Sequence, residues 1–283
     1  MTNMGMTTTG TMTGTTTTTS TSTAMIKTLT AGLLLVLLAS CNPRLSNGLR
    51  RKDLHKDVEI TTTMGVIIIR LSDSTPLHRN NFLSLVKKGY YDSLLFHRVI
   101  RNFMIQSGDP DSKYGHPGKP MSQGGSGGPG YGLRQNVVPR SDSPGTFAAL
   151  GPPAEFRPYL FHERGALGAA RMGDDVNPTR ASSGSQFYIV EGKRWTDAGL
   201  DSTERFRLKG WKIPPDQRAV YKEQGGSPHL DQQYTVFGEV VKGMEVVDSI
   251  AAVKTSGPPS DRPLTDVRIL KIRLIPRKTG LVK

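Results

Sequence analysis

The sequence predicts a mainly-β fold, a closed eight-stranded antiparallel barrel capped by two helices. Between about residues 57 and 276, short segments of alternating or β-branched apolar residues recur, and about eight of them have the length of a strand. Helical patterns near residues 76–88 and 244–252 accompany these strands. A small barrel whose interior is filled by side chains fits this pattern. A partly helical insertion is expected at about residues 191–228, with a helix near residues 215–224.

The amino-terminal region has the pattern of an exported protein. Residues 1–24 are rich in Thr and uncharged, so they are expected to be a disordered leader or to precede the true start. Residues 25–40 have the pattern of a signal peptide, with a positive charge before an apolar run too short to span a membrane. The following Leu38-Ala39-Ser40-Cys41 resembles the lipobox of bacterial lipoproteins. This resemblance implies acylation of Cys41 and a lipid anchor in the bacterial cell envelope, facing the periplasm.

Charge and cysteine content limit the classes of function. Cys41 is the only cysteine, which excludes an intrachain disulfide framework; an ordinary buried thiol is its alternative interpretation. Residues 41–56 are basic and are predicted to form a solvated tether, or else to contact anionic lipid. The formal charge is +13, but the basic residues are spread along the chain and no nucleic-acid motif occurs. We therefore expect no nucleic-acid partner.

A hairpin and a helix are predicted at the start of the folded part. Two apolar strands flank the turn at Met64 and Gly65. Thr75 can then cap a helix that has Pro76 at its first position, and Gly89 can end it. Phe82, Leu85 and Val86 should form the buried face of this helix. It is expected to close one end of the barrel.

The most informative stretch is residues 96–109, with the sequence Phe-His-Arg-Val-Ile-Arg-Asn-Phe-Met-Ile-Gln-Ser-Gly-Asp. It predicts two short strands broken at Arg101-Asn102, because apolar residues alternate on either side of that break. Alternation would place Phe96, Arg98 and Ile100 on one face. A guanidinium group cannot lose its charge, so an arginine on this apolar face must be paired or must point at a ligand.

This stretch resembles the signature of the cyclophilin family of peptidyl-prolyl cis-trans isomerases. Three further blocks resemble the same family and follow in its order: residues 165–171, residues 183–190, and residues 229–231 with 234–238. The resemblance spans residues 57–276, which are therefore expected to form one isomerase domain followed by a tail at residues 277–283. It implies a cyclophilin-like barrel, proline-containing polypeptides as substrates, no cofactor, and a monomer.

The resemblance also implies the residues of the site. Arg98 and Gln106 would be catalytic, and Phe103, Met104 and Tyr188 would form the pocket for the proline ring with Leu230 at its edge. The other expected substrate-binding residues are Ala170, Arg171, Gln186, His229 and Tyr234. Several positions differ from many family members, which have Phe at 188, Asn at 171 and His at 234. Cyclosporin-sensitive members have Trp at 229, so tight cyclosporin binding is not expected.

The chemistry expected of Arg98 follows from the amide bond. Partial double-bond character gives the X–Pro bond a barrier of about 18–20 kcal/mol, and no covalent bond is made or broken in isomerisation. A catalyst needs only to bind the twisted amide better than either planar form. The twisted nitrogen gains a basic lone pair, at which a fixed donor such as a guanidinium can be directed. The alternative is that Arg98 is a structural ion-pair partner and that the apolar residues are simple core.

A few features of the sequence could suggest other functions. The Gly- and Pro-rich residues 113–133 could suggest a phosphate-binding loop, but Gly118-Lys119 is followed by Pro120 and not by Ser or Thr. The six histidines show no HExxH or paired Cys/His spacing, so no metal is expected. A non-catalytic scaffold for proline peptides and a membrane-surface module remain alternatives. The insertion could be a stabilising lid packed by its tryptophans or a partner-binding arm.

Overall fold

The structure is a computed structural model that describes residues 10–11, 48–115, 151–175 and 177–277. The chain divides into two units, residues 1–43 and 44–283, and every element below belongs to the second unit. The predicted leader, apart from residues 10 and 11, and the signal peptide with Cys41 lie outside the described residues. So do residues 116–150, which include most of the Gly- and Pro-rich loop, and nearly all of the tail.

Eight strands form one antiparallel sheet. The order across the sheet is β3-β4-β6-β5-β7-β2-β1-β8, and each neighbouring pair is antiparallel. The predicted mainly-β architecture is therefore confirmed. The strands are β1 (Lys56–Thr62), β2 (Gly65–Leu71), β3 (Arg98–Ile100), β4 (Met104–Ser107), β5 (Ala166–Ala169), β6 (Phe187–Val190), β7 (Val236–Lys242) and β8 (Ile269–Pro276).

The prediction of a closed barrel is wrong, because the sheet is an open half-barrel. No ladder among the described residues joins β3 to β8, the two edge strands. Within the described residues, the isolated bridge between Leu95 and Arg268 and a few backbone hydrogen bonds, such as Phe96 N to Val267 O (2.9 Å), link residues 93–96, before β3, to residues 267–269, at the start of β8.

The pleat of β3 also begins later than expected. Phe96 lies before the strand and is buried in the main core together with Val99. It therefore does not share a face with Arg98. Arg98 and Ile100 do lie on the same side of the strand, as strand alternation requires.

Within the part of the chain that the structure describes, four α-helices accompany the sheet: α1 (Pro76–Lys87), α2 (Asp197–Phe206), α3 (Pro215–Glu223) and α4 (Met244–Ala251). The two predicted core helices are confirmed as α1 and α4, and Gly89 follows α1 with a positive φ of 67°. The insertion contributes α2 in addition to the predicted helix α3. Among the described residues, no helix has both the length and the apolar character needed to cross a membrane.

The cap of α1 differs from the prediction. Thr75 occupies the N-cap position, but its buried hydroxyl makes no hydrogen bond within the described residues. The carboxylate of Glu155 instead accepts hydrogen bonds from the backbone N–H groups of Leu77 (3.2 Å) and His78 (2.9 Å). An acidic group at this end also interacts favourably with the helix dipole. Glu155, which lies in a distant segment, therefore caps the helix in place of Thr75.

The described end of the basic tether is packed against the domain. Leu49 is fully buried in the main core cluster, and Asp53 is buried and paired with Lys87 at 2.8 Å. Burial of Asp53 is outweighed by its hydrogen bonds and by the charge of Lys87, which together lower its pKa to about 2. The prediction of a solvated segment is therefore wrong for this part. The folded unit includes residues that precede β1.

The insertion has a small core of its own. Leu200, Leu208, Ile213 and Tyr221 are buried together, and Trp195 and Trp211 pack against them. Helix α2 lies next to the 3₁₀ turn Pro228–Leu230. This packing resembles the predicted lid, and it brings the insertion beside the residues expected to bind substrate.

Candidate active site

The two faces of the sheet have different roles. Val99, Ile105, Ile189 and Leu167 oppose one another across β3, β4, β6 and β5, and all four belong to the main core. Side chains alternate along a strand, so the neighbouring positions must point to the opposite face. That second face carries the residues that the sequence singled out.

One row on the second face contains Arg98, Gln106, Tyr188 and Gly168. They are directly opposed from strand to strand across β3, β4, β6 and β5. Opposed residues on neighbouring strands have Cβ atoms roughly 5 Å apart, so the row is continuous. The absence of a side chain on Gly168 matters, because a Cβ there would clash with the ring of Tyr188. Tyr188 therefore lies across the backbone of β5.

A small apolar cluster lies beside this row. Met104, Tyr188 and Leu230 are buried in it, and Phe103, Ala170 and Tyr234 are partly buried at its margin. These six residues were all predicted to bind substrate, and they come from four separate parts of the chain. The structure thus brings the predicted pocket residues together, next to Arg98.

Arg98 has a partner on one side of its guanidinium group. Its Nε lies 3.5 Å from Oδ2 of Asp261, whose side chain is 11% exposed. The side chain of Arg98 remains 40% exposed, and within the described residues its two Nη atoms have no hydrogen-bond or ion-pair partner. Arg98 is thus held in place by Asp261 but keeps terminal donors that can reach a ligand. Sequence analysis did not find Asp261, which lies far from Arg98 along the chain.

Two glutamines extend the polar part of the site. Nε2 of Gln106 donates a hydrogen bond to Oε1 of Gln186 at 2.8 Å. Gln186 is 2% exposed, and its own Nε2 has no hydrogen-bond partner among the described residues. A buried amide donor normally has a partner, so Nε2 of Gln186 is a donor of the site whose hydrogen bond is unmade among the described residues.

His229 forms part of the pocket wall. Its ring lies 5.1 Å from that of Phe103, measured between centroids, with a tilt of 41° between the planes. Burial is the main cause that lowers the pKa of His229 to about 4; Arg207 and Lys193 also lower it, and Asp231 opposes them. His229 is therefore neutral at pH 7 and presents a mainly apolar surface to the site.

A buried hydrogen-bonded chain supports the pocket from behind. Nε2 of His162 lies 2.9 Å from the hydroxyl of Tyr188, and Nδ1 lies 2.8 Å from Oδ1 of Asp231. Tyr221 donates a hydrogen bond to the other carboxylate oxygen at 2.6 Å. A carboxylate can only accept here, so Nδ1 of His162 carries the proton and Nε2 accepts from Tyr188. Burial raises the pKa of Tyr188 well above 10, which keeps its hydroxyl protonated.

This chain was missed by sequence reasoning. His162 was given no role, and Asp231 appeared only as part of a matching block. The one available signal was Tyr188 itself, since a hydroxyl at the bottom of an apolar pocket needs a buried partner.

Two residues predicted to bind substrate, Arg171 and Ala170, make their polar contacts within the protein. The guanidinium of Arg171 bonds to the carbonyl of Gln233 at 2.8 Å, pairs with Asp174 at 2.7 Å, and lies 4.5 Å from the ring centroid of Tyr234. Its side chain is only 4% exposed. The backbone N–H of Ala170 donates to Gln186 and its carbonyl accepts from Ser183. The side chain of Arg171 therefore supports Tyr234, and Ala170 offers mainly its methyl group.

A separate cavity of about 300 Å³ lies on the same sheet face, further along β5, β7 and β2. It is lined by Leu71, Leu160, Ala166 and Val236 among others, and by none of the predicted substrate residues. Within the described residues, no group of three or more His, Cys, Asp or Glu side chains could hold a metal ion.

Comparisons with known proteins agree with this arrangement. Residues 57–274 match the family model described as cyclophilin type peptidyl-prolyl cis-trans isomerase/CLD. A protein of Staphylococcus aureus (strain USA300), named "Putative peptidyl-prolyl cis-trans isomerase", is 33% identical over 231 residues, which cover 81% of this chain and 96% of the relative.

A second relative is longer. The "Putative bifunctional phosphatase/peptidyl-prolyl cis-trans isomerase" of Streptococcus pyogenes serotype M6 is 35% identical over 220 residues, which are 77% of this chain but only 38% of that protein. Among solved structures, a cyclophilin type peptidyl-prolyl cis-trans isomerase of Cryptosporidium parvum has a TM-score of 0.50. It is 22% identical, and the match covers 79% of this chain and 99% of that one, so the likeness concerns the fold. From its family match and its curated relatives, the chain belongs to the cyclophilin-type peptidyl-prolyl cis-trans isomerases.

Proposed function

We propose that this isomerase acts on X–Pro bonds of exported polypeptides, with Arg98 as the catalytic donor, while a lipid on Cys41 anchors it in the cell envelope. The observation that carries the catalytic part is the position of Arg98. Its terminal nitrogens are free within the described residues, and it stands in the same strand row as Tyr188 at the apolar cluster. Binding of proline alone would need the apolar cluster but not a guanidinium.

The steps of the reaction follow from this geometry. The proline ring enters the apolar cluster and lies against Phe103, Met104 and Leu230, where water is excluded. Arg98 then donates a hydrogen bond to the proline nitrogen, which becomes basic only when the amide twists. Because the planar forms lack this lone pair, the interaction is stronger in the transition state than in either ground state.

The glutamines hold the other side of the bond. Nε2 of Gln186 donates a hydrogen bond to a peptide carbonyl of the substrate, while Gln106 orients the Gln186 amide through the hydrogen bond of 2.8 Å. Holding one side of the X–Pro bond fixed while the other side rotates lowers the entropic part of the activation barrier.

The anchoring part is supported by the sequence alone. Leu38-Ala39-Ser40-Cys41 follows a positively charged and apolar segment, which is the order in a lipoprotein signal. Few residues separate Cys41 from the buried Leu49, so an acyl chain at Cys41 would hold the domain close to a membrane surface.

The catalytic proposal is tested with a proline tetrapeptide whose cis-to-trans rate is measured with wild type and Arg98→Ala. We expect the variant to lose on the order of a hundredfold in kcat/KM, by analogy with removal of one oxyanion donor. Arg51→Ala, which changes an exposed arginine in the turn before β1, is the matched control. A wild-type rate equal to the uncatalysed rate would leave the scaffold function.

The anchoring proposal is tested separately, by mass spectrometry of the mature amino terminus and by detergent partitioning of wild type and Cys41→Ser. We expect an acylated Cys41 at the terminus and loss of the detergent-phase protein in the variant. An unmodified Cys41 in the expressed protein would contradict it.

A further inference from the structure

The insertion meets the pocket wall at two points. The backbone N–H groups of Glu191 and Gly192 both donate to the carbonyl of Phe103, at 3.1 and 3.0 Å. The side chain of Gln233 donates to the carbonyls of His229 (2.9 Å) and Arg207 (3.5 Å). Lys193 directly follows Gly192, and Arg207 shares the side-chain amide of Gln233 with His229, so the backbones of Lys193 and Arg207 both lie beside the wall formed by Phe103 and His229.

Glycine is required at the first of these points. Gly192 has a φ of +68°, and a Cβ there would lie 2.6 Å from the Cα of Gly226. Gly226 in turn donates its N–H to the carbonyl of Lys193 at 3.0 Å. The backbone of Lys193 is thus fixed, and its ammonium lies 4.8 Å from the ring centroid of Trp195.

The acidic groups of the insertion are used elsewhere. Arg218 pairs with Asp197 (3.0 Å), Asp201 (2.8 Å) and Glu204 (2.8 Å), which hold α2 to α3. Lys212 also pairs with Glu204, and Lys222 also pairs with Asp197. Within the insertion, the exposed basic side chains without an ion pair among the described residues are Lys193, Arg194, Arg205, Arg207 and Lys209.

One carboxylate, that of Asp231, acts on His229 against these positive charges. Asp231 is buried and accepts hydrogen bonds from His162 and Tyr221. Glu191 is half-buried, and burial raises its pKa. The contacts of Gly192 and of Gln233 place the backbones of Lys193 and Arg207 beside the wall, and both positive charges add to burial in lowering the pKa of His229.

We infer that Lys193 and Arg207 form a subsite for acidic side chains of the substrate, so that the enzyme prefers X–Pro bonds with Asp or Glu close by in the sequence. This inference rests on the proposed function, because it places the subsite on the rim of the proline pocket. Two exposed cations beside a groove attract an anionic peptide and slow its release. Their separation from the apolar cluster puts the contact on residues that flank the proline, not on the proline itself.

The test compares peptides that differ only in charge. A series of proline peptides carries Glu or Gln at one flanking position at a time, and exchange is measured by NMR so that no coupling protease selects the sequence. At one or more positions we expect kcat/KM for Glu to exceed that for Gln by about three- to tenfold, the value of one or two exposed ion pairs. At 0.5 M salt, roughly where the screening length falls to a few ångströms, the ratio should approach one.

The double variant Lys193→Gln, Arg207→Gln should also bring the Glu/Gln ratio to about one, whereas Lys254→Gln, an exposed lysine after α4, should leave it at the wild-type value. Thermal unfolding of each variant checks that the fold is kept. Equal rates for Glu and Gln peptides at every position, or a ratio that survives the double variant, would overturn the inference. Turnover of the Gln peptides tests the proposed function independently.

The same charges could meet a membrane instead. The Cys41→Ser protein, which carries no acyl anchor, and the same protein with the double variant are therefore also mixed with vesicles of neutral and of anionic phospholipid. Equal, weak binding of both proteins to both vesicles is the expected result. Loss of anionic-vesicle binding in the double variant, with an unchanged Glu/Gln ratio, would assign the rim to lipid and overturn the substrate subsite.

Discussion

The hydroxyl of Tyr188 lies 2.9 Å from Nε2 of His162, and the two rings stack with a tilt of only 16°. Tyr188 is 4% exposed and His162 is 1% exposed. The bottom of the proposed proline pocket is therefore a polar contact covered by an aromatic ring. Because Asp231 fixes the tautomer of His162, Nε2 has Tyr188 as its donor.

Tyr188→Phe should destabilise the protein by about 1–3 kcal/mol, because the buried Nε2 of His162 loses its donor. The phenyl ring still fills the pocket, so we expect kcat/KM to fall far less than in Arg98→Ala. Urea unfolding and the tetrapeptide assay measure the two effects. Tyr159→Phe is the control, since Tyr159 is 61% exposed. An unchanged free energy of unfolding in Tyr188→Phe would mean that the hydrogen bond contributes nothing.

Asp261→Asn should lower kcat/KM by about two- to fivefold, the effect of one partly exposed ion pair. The substitution keeps the shape of the side chain but weakens the contact that orients Nε of Arg98 at 3.5 Å. Asp261 has a positive φ of 50°, which Asn tolerates better than most residues, so the loop should keep its conformation.

The matched control for this variant is Asp216→Asn, an exposed carboxylate at the start of α3. We expect it to have wild-type kinetics. If Asp261→Asn were also indistinguishable from wild type in the tetrapeptide assay, Asp261 would have no part in positioning Arg98.

Local patterns predicted the elements well and the long-range contacts poorly. Helix α1 was recognisable because Pro76, its apolar face and Gly89 all lie within one short segment. The group that caps it, Glu155, is 77 residues from His78 in the chain, and no periodicity reports such a contact. Asp261 escaped detection for the same reason.

The closed barrel was overpredicted because a count of strands does not show whether the two edge strands pair. Among the described residues, β3 forms a ladder with β4 and is linked towards β8 by the bridge between Leu95 and Arg268 and a few backbone hydrogen bonds. The residues predicted for the pocket do lie together in the structure, because the family resemblance carries three-dimensional information that composition and spacing do not. The family resemblance did not predict contacts such as the hydrogen bond between His162 and Tyr188.

Stability should fall between pH 7 and pH 4 because of buried histidines. Burial lowers the pKa of His97 and of His229 to about 4, whereas an unfolded histidine titrates near 6.5. Between these two pKa values the unfolded chain binds more protons than the folded protein. The free energy of unfolding therefore decreases, as the pH falls, by up to about 1.4 kcal/mol per pH unit for each histidine. Above pH 6.5 this contribution is fully present.

His229→Phe isolates one of these groups. We expect the difference in the free energy of unfolding between pH 7 and pH 5 to be smaller in the variant than in wild type, because one depressed titration is removed. His55→Gln changes an exposed histidine and should show the wild-type difference. Parallel pH curves for wild type and His229→Phe would contradict the lowered pKa of His229.

Leu49→Ala should destabilise the domain by about 2–5 kcal/mol, although Leu49 precedes both β1 and the part of the chain that matches the family. Its side chain is fully buried in the main core, so truncation leaves a cavity there. Leu270→Ala, on β8 and 52% exposed, should cost much less. Urea unfolding of both variants measures the difference. A Leu49→Ala midpoint equal to that of wild type would mean that the segment before β1 is dispensable, and a protein begun at residue 57 should then be as stable as the longer chain.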